Sequence, residues 1–480
     1  MTSLLSCIMA MIFVACSDDD GKKIPAPSPK EQWSATLKGD GEVLGAYPDL
    51  YCNYWEIKEF IMTSLLSCIM AMIFVACSDD DGKKIPAPSP KEQWSATLKG
   101  DGEVLGAYPD LYCNYWEYTY QADKNSNKIL CLKGEFPHCR YFSISLYNDE
   151  TGDVFSGIND QDISVDNGST NPFVETTSGK NYFTLYVVPN GTPQSVISKL
   201  GSTNVVEVAE GVNKVAIALR HYLGTTADGS QKDEYAGVEL PAITALDMNL
   251  DEDAVPEHVA SNISQVTSKV YTQKSDENKE VPFFLAPVSM YYPNSFTAYL
   301  YGRTHLREDS VLTFSFIPAP VPTKPEEYKR AVTRYWSICI GSASDTRSYM
   351  SIYDAKARYA DGKKATFVVC LKKNPKLSAI QSKVDEMNAN GEYVNLFVWD
   401  SEKKNIDGNP IGEIMAIMYR NILPDKEWEH SIATMDPTAY KDDKGEPIDH
   451  VTNPEKQLAH KALGDYGPLG VKVSNEDFLQ

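Results

Sequence analysis

Arg140-Tyr141-Phe142-Ser143-Ile144 and Arg334-Tyr335-Trp336-Ser337-Ile338 are one pattern written twice. In the first copy Phe142, Ile144 and Leu146 alternate with Ser143, Ser145 and Tyr147. In the second, Trp336, Ile338 and Ile340 alternate with Ser337, Cys339 and Gly341. A period of two is that of a strand with one apolar face turned to a core. An arginine heads each strand at the same place. A charge at a buried strand end must be paired, so Arg140 and Arg334 are expected to tie their strands to carboxylates rather than to grip a ligand.

Working outward, four further blocks recur in the same order. Tyr108-Pro109-Asp110 through Tyr115 matches Tyr292-Pro293-Asn294 through Tyr299, and Leu130–Pro137 matches Leu312–Pro318. Phe183, Leu185, Val187 and Asn190 fall opposite Phe367, Val369, Leu371 and Asn374. Ala216–Arg220 and Leu223 fall opposite Ala416–Arg420 and Leu423. Between the last two blocks each half carries a helix start, Thr192-Pro193 and Asn374-Pro375, in which a capping side chain precedes a proline suited to the first turn. Leu377, Ile380, Val384 and Met387 then form one apolar face that Gly391 ends, and the shorter helix from Pro193 stops at Gly201.

The runs between these blocks are short, rich in Tyr, Val, Ile and Phe, and punctuated by Gly, Asn, Asp and Pro. The expected fold is mostly β: two tandem β-sandwich domains, 93–245 and 286–480, each with a short helix. A partly helical linker, 246–285, joins them, with Val255, Val259, Ile263, Val266 and Val270 at helical spacing. A chain of this length suits two separately cooperative domains.

The segment before residue 93 reads as an address. Met1–Glu56 recurs unaltered as Met62–Glu117, and such identity marks a recent duplication or an assembly error rather than a folded repeat; residues 1–61 read as the artefactual copy. An apolar run, 62–76, ends at Cys77 and precedes Ser78-Asp79-Asp80-Asp81. That resembles a bacterial lipoprotein signal with Cys77 lipidated (Cys16 in the duplicate), followed by the acidic export signal of Bacteroidetes-type surface lipoproteins. Ile85-Pro86-Ala87-Pro88-Ser89-Pro90 is an extended Pro-rich stalk, so 77–92 is a tether. The resemblance implies an outer-membrane lipoprotein facing the cell exterior, held by its lipid anchor.

The chain carries a net charge of −21 and no Lys/Arg-rich run, which disfavours a nucleic-acid partner. It lacks a phosphate-binding Gly-x-x-x-x-Gly-Lys, a Gly-x-Ser-x-Gly elbow and His-Glu-x-x-His. None of its histidines has ligand spacing to another His or Cys, so neither a metal nor another cofactor is expected. Asp247, Asn249, Asp251 and Asp253 begin like a calcium loop, but Glu252 and His258 stand where Gly and Glu are required, and a capped helix start accounts for the acids. Asp160, Asp162 and Asp166 are the ligand-binding candidates. They also serve the alternative of a polysaccharide hydrolase, whose paired carboxylates they would supply; turn chemistry beside Gly168 is the simpler account. Cys113, Cys131 and Cys139 fall in the first half and Cys339 and Cys370 in the second, where a disulfide requires their strands to be neighbours.

Arg140-Tyr-Phe-Ser, Asp160 to Ile163, Asp166-Asn-Gly-Ser-Thr-Asn-Pro-Phe173 and Ala236-Gly237-Val238-Glu239-Leu240-Pro241 together resemble bacterial exported proteins of unknown function with tandem jelly-roll-like domains. Arg334-Tyr-Trp-Ser and Arg420-Asn-Ile-Leu-Pro424 are similar to their second domain. The resemblance spans most of 105–470 and implies a jelly-roll-like sandwich with no established reaction and no catalytic residue. The expected function is a non-catalytic binding or scaffold lipoprotein for an extracellular glycan or protein. Its recognition loops are expected at Asn148–Phe173 and Ser342–Tyr359, polar, turn-rich and different between the halves.

Overall fold

The computed structural model describes residues 89–98, 108–175, 179, 181–262, 279–285, 292–405, 407–435 and 458–480. Cys16, Cys77, the copy 1–61, the apolar run 62–76 and linker residues 263–278 lie outside the described residues. The chain is mostly β, and its described residues form four five-stranded sheets.

In the first half the strands are β1 (Ser95–Leu98), β2 (Cys113–Gln121), β3 (Ile129–Glu135), β4 (Tyr141–Asn148) and β5 (Val154–Asn159). They continue with β6 (Tyr182–Val188), β7 (Val205–Glu207), β8 (Lys214–Tyr222), β9 (Ala242–Leu246) and β10 (Glu252–Asp253). In the second half they are β11 (Glu280–Pro282), β12 (Phe284–Leu285), β13 (Thr297–His305), β14 (Ser310–Phe316) and β15 (Tyr335–Ser342). Then follow β16 (Ser348–Tyr353), β17 (Ala365–Leu371), β18 (Val394–Trp399), β19 (Ile414–Ile422) and β20 (Leu469–Ser474).

The two halves repeat one plan. Sheet order β1-β2-β8-β4-β5 in the first is matched by β12-β13-β19-β15-β16, and β10-β9-β3-β6-β7 by β11-β20-β14-β17-β18. All five sequence blocks fall on strands of equal rank. Pairing is antiparallel except for β6 with β7 and β17 with β18. A parallel neighbour cannot be reached by a tight turn, and the crossover in each half is the helix, α1 (Gln194–Ile197) or α2 (Leu377–Ala389). Helix α2 lays Ile380 and Val384 on Val311, Val368 and Cys370, as its apolar face predicts, and Gly391 follows at φ 87°. Asn374 caps a step early: its Oδ1 accepts the Lys376 N–H (2.8 Å), and the helix begins at Leu377.

Within each half the two sheets face one another across a core. Trp116, Phe142, Ile144 and Leu219 meet Leu132, Phe183 and Leu185 in the first, and Trp336, Ile338 and Tyr419 meet Phe314, Phe367 and Val369 in the second. The opposite faces of β4, β8, β15 and β19 are buried as well. There the two halves pack on each other, with Cys113, Tyr115, Tyr141 and Tyr222 against Tyr335 and Ile422. Residues 87–480 accordingly form one compact unit.

Three expectations need correction. Linker residues 250–262 are not an α-helix. Glu252–Asp253 joins the sheet beside β9, the Val259 N–H donates to Thr119 O (2.8 Å), and the Tyr118 hydroxyl donates to Pro256 O, so the backbone is spent on β2 and β9. Asp247 likewise closes a turn into β10, accepting the N–H groups of Asn249 and Asp251, instead of capping a helix. The tether ends before 92: Pro90–Gln93 is a helical turn with the Ser89 N–H on Glu92, and Gln93 exchanges two hydrogen bonds with the Ile243 backbone. The described cysteines are free; Cys339 on β15 and Cys370 on β17 lie in different sheets.

Candidate functional site

The three candidate aspartates do not converge. Asp160 is fully buried, its carboxylate 3.3 Å from Arg334 Nη1 and accepting the Phe142 N–H (2.9 Å). Burial pushes its carboxyl up to about 6 against the pull of Arg334, so it is ionised at neutral pH. Asp162 is exposed and accepts from the Asn159 amide, and Asp166 accepts from the Thr184 hydroxyl (3.0 Å). These contacts make Asp160 a framework residue and the other two turn acids.

Arg140 and Arg334 do pair with carboxylates, but each reaches into the other half. Arg334 takes Asp160, and Arg140 takes Asp354 at 3.5 Å. Asp354 repeats Asp160 in full: its N–H donates to Trp336 O (3.1 Å) as that of Asp160 donates to Phe142 O (2.9 Å). Each arginine also donates to the carbonyl of the other at 3.3 Å. The result is a crossed lock about an approximate two-fold relation. The Tyr-Pro segments cross in the same way, with the Tyr108 N–H on Thr346 O and the Tyr292 N–H on Gly152 O.

Two constellations have the outward form of catalytic groups. Ser95 Oγ lies 2.8 Å from His258 Nε2, the spacing of a nucleophile and its base. The Thr119 N–H donates to His258 Nδ1 (3.0 Å), so the neutral ring carries its proton on Nε2 and donates it to Ser95 instead of withdrawing one. Glu117, pushed up to about 7 by burial with the Asp149 charge nearby, belongs to the second. Asp149 is closed off by Lys214 (2.7 Å), the Tyr292 hydroxyl (2.7 Å), the Ser261 hydroxyl (2.6 Å) and the Asn262 N–H (2.9 Å), which leaves its oxygens satisfied and enclosed.

The accessible chemistry lies at the junction of the halves. Tyr112, just before β2, and Tyr353, at the end of β16, are half-buried with ring centres 4.4 Å apart. The Tyr112 hydroxyl donates to Ser351 O (3.1 Å), and burial raises it to about 12, so it stays a neutral phenol. Two exposed ammonium groups approach this one ring: Lys356 Nζ at 5.1 Å and Lys232 Nζ at 5.9 Å from its centre. Lys356 is also 5.7 Å from the Tyr353 ring. From there Lys356 and Arg358 form one wall of an open groove of about 470 Å³ whose other wall is Gln381, Asp385 and Asn388 of α2. Asn395 of β18 fixes that wall, its side chain accepting the Arg358 N–H (2.7 Å) and donating to Arg358 O (3.0 Å). Tyr and Lys side chains at such a place offer flat apolar faces beside mobile positive charge. Sequence reasoning placed a recognition loop at Ser342–Tyr359 but passed over Lys356 and Arg358; the available signal was that they follow Asp354 at the spacing by which Asp162 and Ser164 follow Asp160.

No protein-family model matches the chain, and no curated protein matches it. Among solved structures it is similar to a putative uncharacterized protein from Burkholderia cenocepacia, at 10% identity and TM-score 0.42, over 69% of this chain and 78% of that one. It is also similar to the VPA0106 protein from Vibrio parahaemolyticus, at 10% identity and TM-score 0.33, over 67% of this chain and 87% of that one.

Proposed function

We propose that this chain is a surface-exposed outer-membrane lipoprotein, anchored through Cys77, whose two tandem jelly-roll-like sandwiches form a non-catalytic module that binds an extracellular glycan. The observation that carries the reading is the half-exposed Tyr112–Tyr353 pair, with Lys356 beside both rings and also on the wall of an open groove. Aromatic faces over an open surface are what a sugar-binding module presents, whereas a hydrolase needs two accessible acids at its cleavage point. The acids with raised titration, Glu117, Asp160 and Asp354, are buried among framework contacts, and Asp385 is the acid that lines the groove. The test is a glycan array and polysaccharide pull-down with the full-length protein, followed by product analysis on every hit. Binding without products supports the module. Turnover that Glu117→Gln abolishes with folding intact would establish the hydrolase reading instead. Anchoring is read separately: Cys77→Ala should release the protein from the membrane fraction, and an unchanged distribution would refute it.

A further inference from the structure

We infer that the glycan is anionic, its sugar rings lying along Tyr112 and Tyr353 and its carboxylate or sulfate groups held by Lys232, Lys356 and Arg358. The inference rests on the binding reading above and adds the ligand's charge. It comes from comparing the two copies of one framework. Asp160 and Asp354 occupy equivalent places, since each bonds back to the second residue of its strand, Phe142 or Trp336, through both its N–H and its carboxylate. Two residues on, the first half carries Asp162 and the second Lys356; four residues on, Ser164 and Arg358. The register of β4 with β5 and of β15 with β16 makes Asn159 the counterpart of Tyr353. One copy of the place is thus acidic and amide-lined, the other cationic and aromatic.

Lys232 brings a second cation, from the first half, to the Tyr112 ring that Lys356 approaches from the second, so the site exists only where the halves meet. None of the three has a carboxylate within ion-pair distance among the described residues, while Arg140 beside them is spent on Asp354. In a chain of net charge −21, two exposed and uncommitted cations, Lys232 and Lys356, approach one tyrosine ring, and a third, Arg358, lines the groove with Lys356, where Asp385 is the acid. Clustered like charges repel, and the arrangement is relieved by a polyanion that sits among them. The tyrosine faces supply what a simple ion exchanger lacks, stacking for the ring between successive charges.

The experiment measures binding of the full-length protein to polygalacturonate, to dextran sulfate and to a panel of neutral polysaccharides including unsubstituted dextran, at low and at high salt. Both polyanions should bind and dextran should bind at least about tenfold more weakly, a difference of ~1.4 kcal/mol. Salt should weaken the polyanions selectively. Lys356→Glu and Lys232→Glu should each cost about tenfold, and Tyr112→Ala should weaken binding where Tyr112→Phe, which keeps the ring, retains it. Lys199→Glu, beside α1, should leave binding unchanged. Equal loss with Lys199→Glu would reduce the effect to general attraction of polyanions and overturn the inference. Binding to neutral polysaccharides alone would overturn the anionic assignment and leave the glycan module standing, whereas no binding to any polysaccharide would overturn both. Tighter binding of an oligothymidylate than of either polyanionic glycan would also refute the assignment.

Discussion

Replacing Arg334 by methionine tests whether the crossed ion pairs hold the halves together. The side chain is 1% exposed and that of Asp160 is 0% exposed, so neither group can regain water when its partner is lost. Methionine keeps an unbranched chain under the Tyr328 ring, over which the guanidinium carbon now sits at 4.0 Å, and removes only the charge and the N–H donors. Asp160 would then retain the Phe142 N–H as its one described donor. Breaking a buried pair on one side costs ~3–5 kcal/mol, because the surviving charge has no partner. Asp160→Asn should cost a similar amount through the stranded arginine. The double variant removes both charges and should cost clearly less than the two single changes together, with a coupling of roughly 1–3 kcal/mol. Asp354→Asn should be milder than Asp160→Asn, since the arginine it strands, Arg140, is 17% exposed against 1% for Arg334 and water can take up part of the loss. The assay is urea unfolding of the full-length variants followed by tryptophan fluorescence. Additive single changes, or an Arg334→Met variant within about 1 kcal/mol of the parent, would show that the lock is ornamental and that apolar packing between the halves suffices.

Two further outcomes follow from the buried framework. Glu117 titrates near 7 and Asp160 near 6 when folded, both above the ordinary carboxylate range. These two groups therefore bind more protons folded than unfolded between about pH 4 and 7; their contribution to stability is full at the acid end and is lost as pH rises through 6 to 7, while buried His221, held down to about 4, contributes in the opposite sense. The parent's urea midpoint should fall relative to that of Glu117→Gln as pH rises through 6 to 7, and a difference between the two that stays constant across the window would refute the sign. Gly341→Ala should lose ~1–3 kcal/mol by overpacking, because a methyl there would stand 2.4 Å from the Tyr108 ring and 2.5 Å from Arg347 O. An unchanged thermal midpoint would mean that the Tyr108 segment moves aside freely.

The strand plan was legible because a repeat preserved its apolar period. Phe142 and Trp336, Phe183 and Phe367, Ile217 and Ile417 all face cores as their alternation indicates. What alternation hid was the second face. Ser143, Ser145, Ser337 and Cys339 read as the solvent side of half-buried strands, yet they are buried against the other half. The clue was the residue types: Ala216, Ala218, Ala416 and Met418 stand at the remaining positions of that face, and no lysine or glutamate appears between them. The role of Arg334 was legible as pairing with a carboxylate, but its partner lies 174 residues away, and no local pattern selects Asp160 over its neighbours. The linker misled because Val255 and Val259 fit a helical spacing, while Thr119 and β9 offered their backbone to the same residues. At the junction, chemistry was invisible residue by residue, since Tyr353 and Lys356 reach Tyr112 and Lys232 only after the halves dock.

The same docking explains why the two copies are not interchangeable. Asp110, fully buried, accepts the Tyr335 and Ser337 hydroxyls at 3.0 and 2.6 Å and lies 3.7 Å from Arg420 Nε. Its counterpart is Asn294, facing the Tyr141 hydroxyl, and the counterpart arginine, Arg220, is held by neutral groups: the Tyr147 hydroxyl (2.6 Å), the Ser145 hydroxyl (3.1 Å) and Tyr292 O (3.1 Å). Two second halves paired with each other would set Arg420 against Asn294 on both sides and leave two buried guanidinium groups without a carboxylate. Two first halves would bring Asp110 to Arg220 with the Tyr141 and Ser143 hydroxyls, the counterparts of its present partners, so that pairing keeps its charges compensated. Uncompensated buried charge costs several kcal/mol per site, so the duplicated framework disfavours the pairing of two second halves. The pairing of unlike halves is what brings Tyr353 and Lys356 onto Tyr112, beside Lys232.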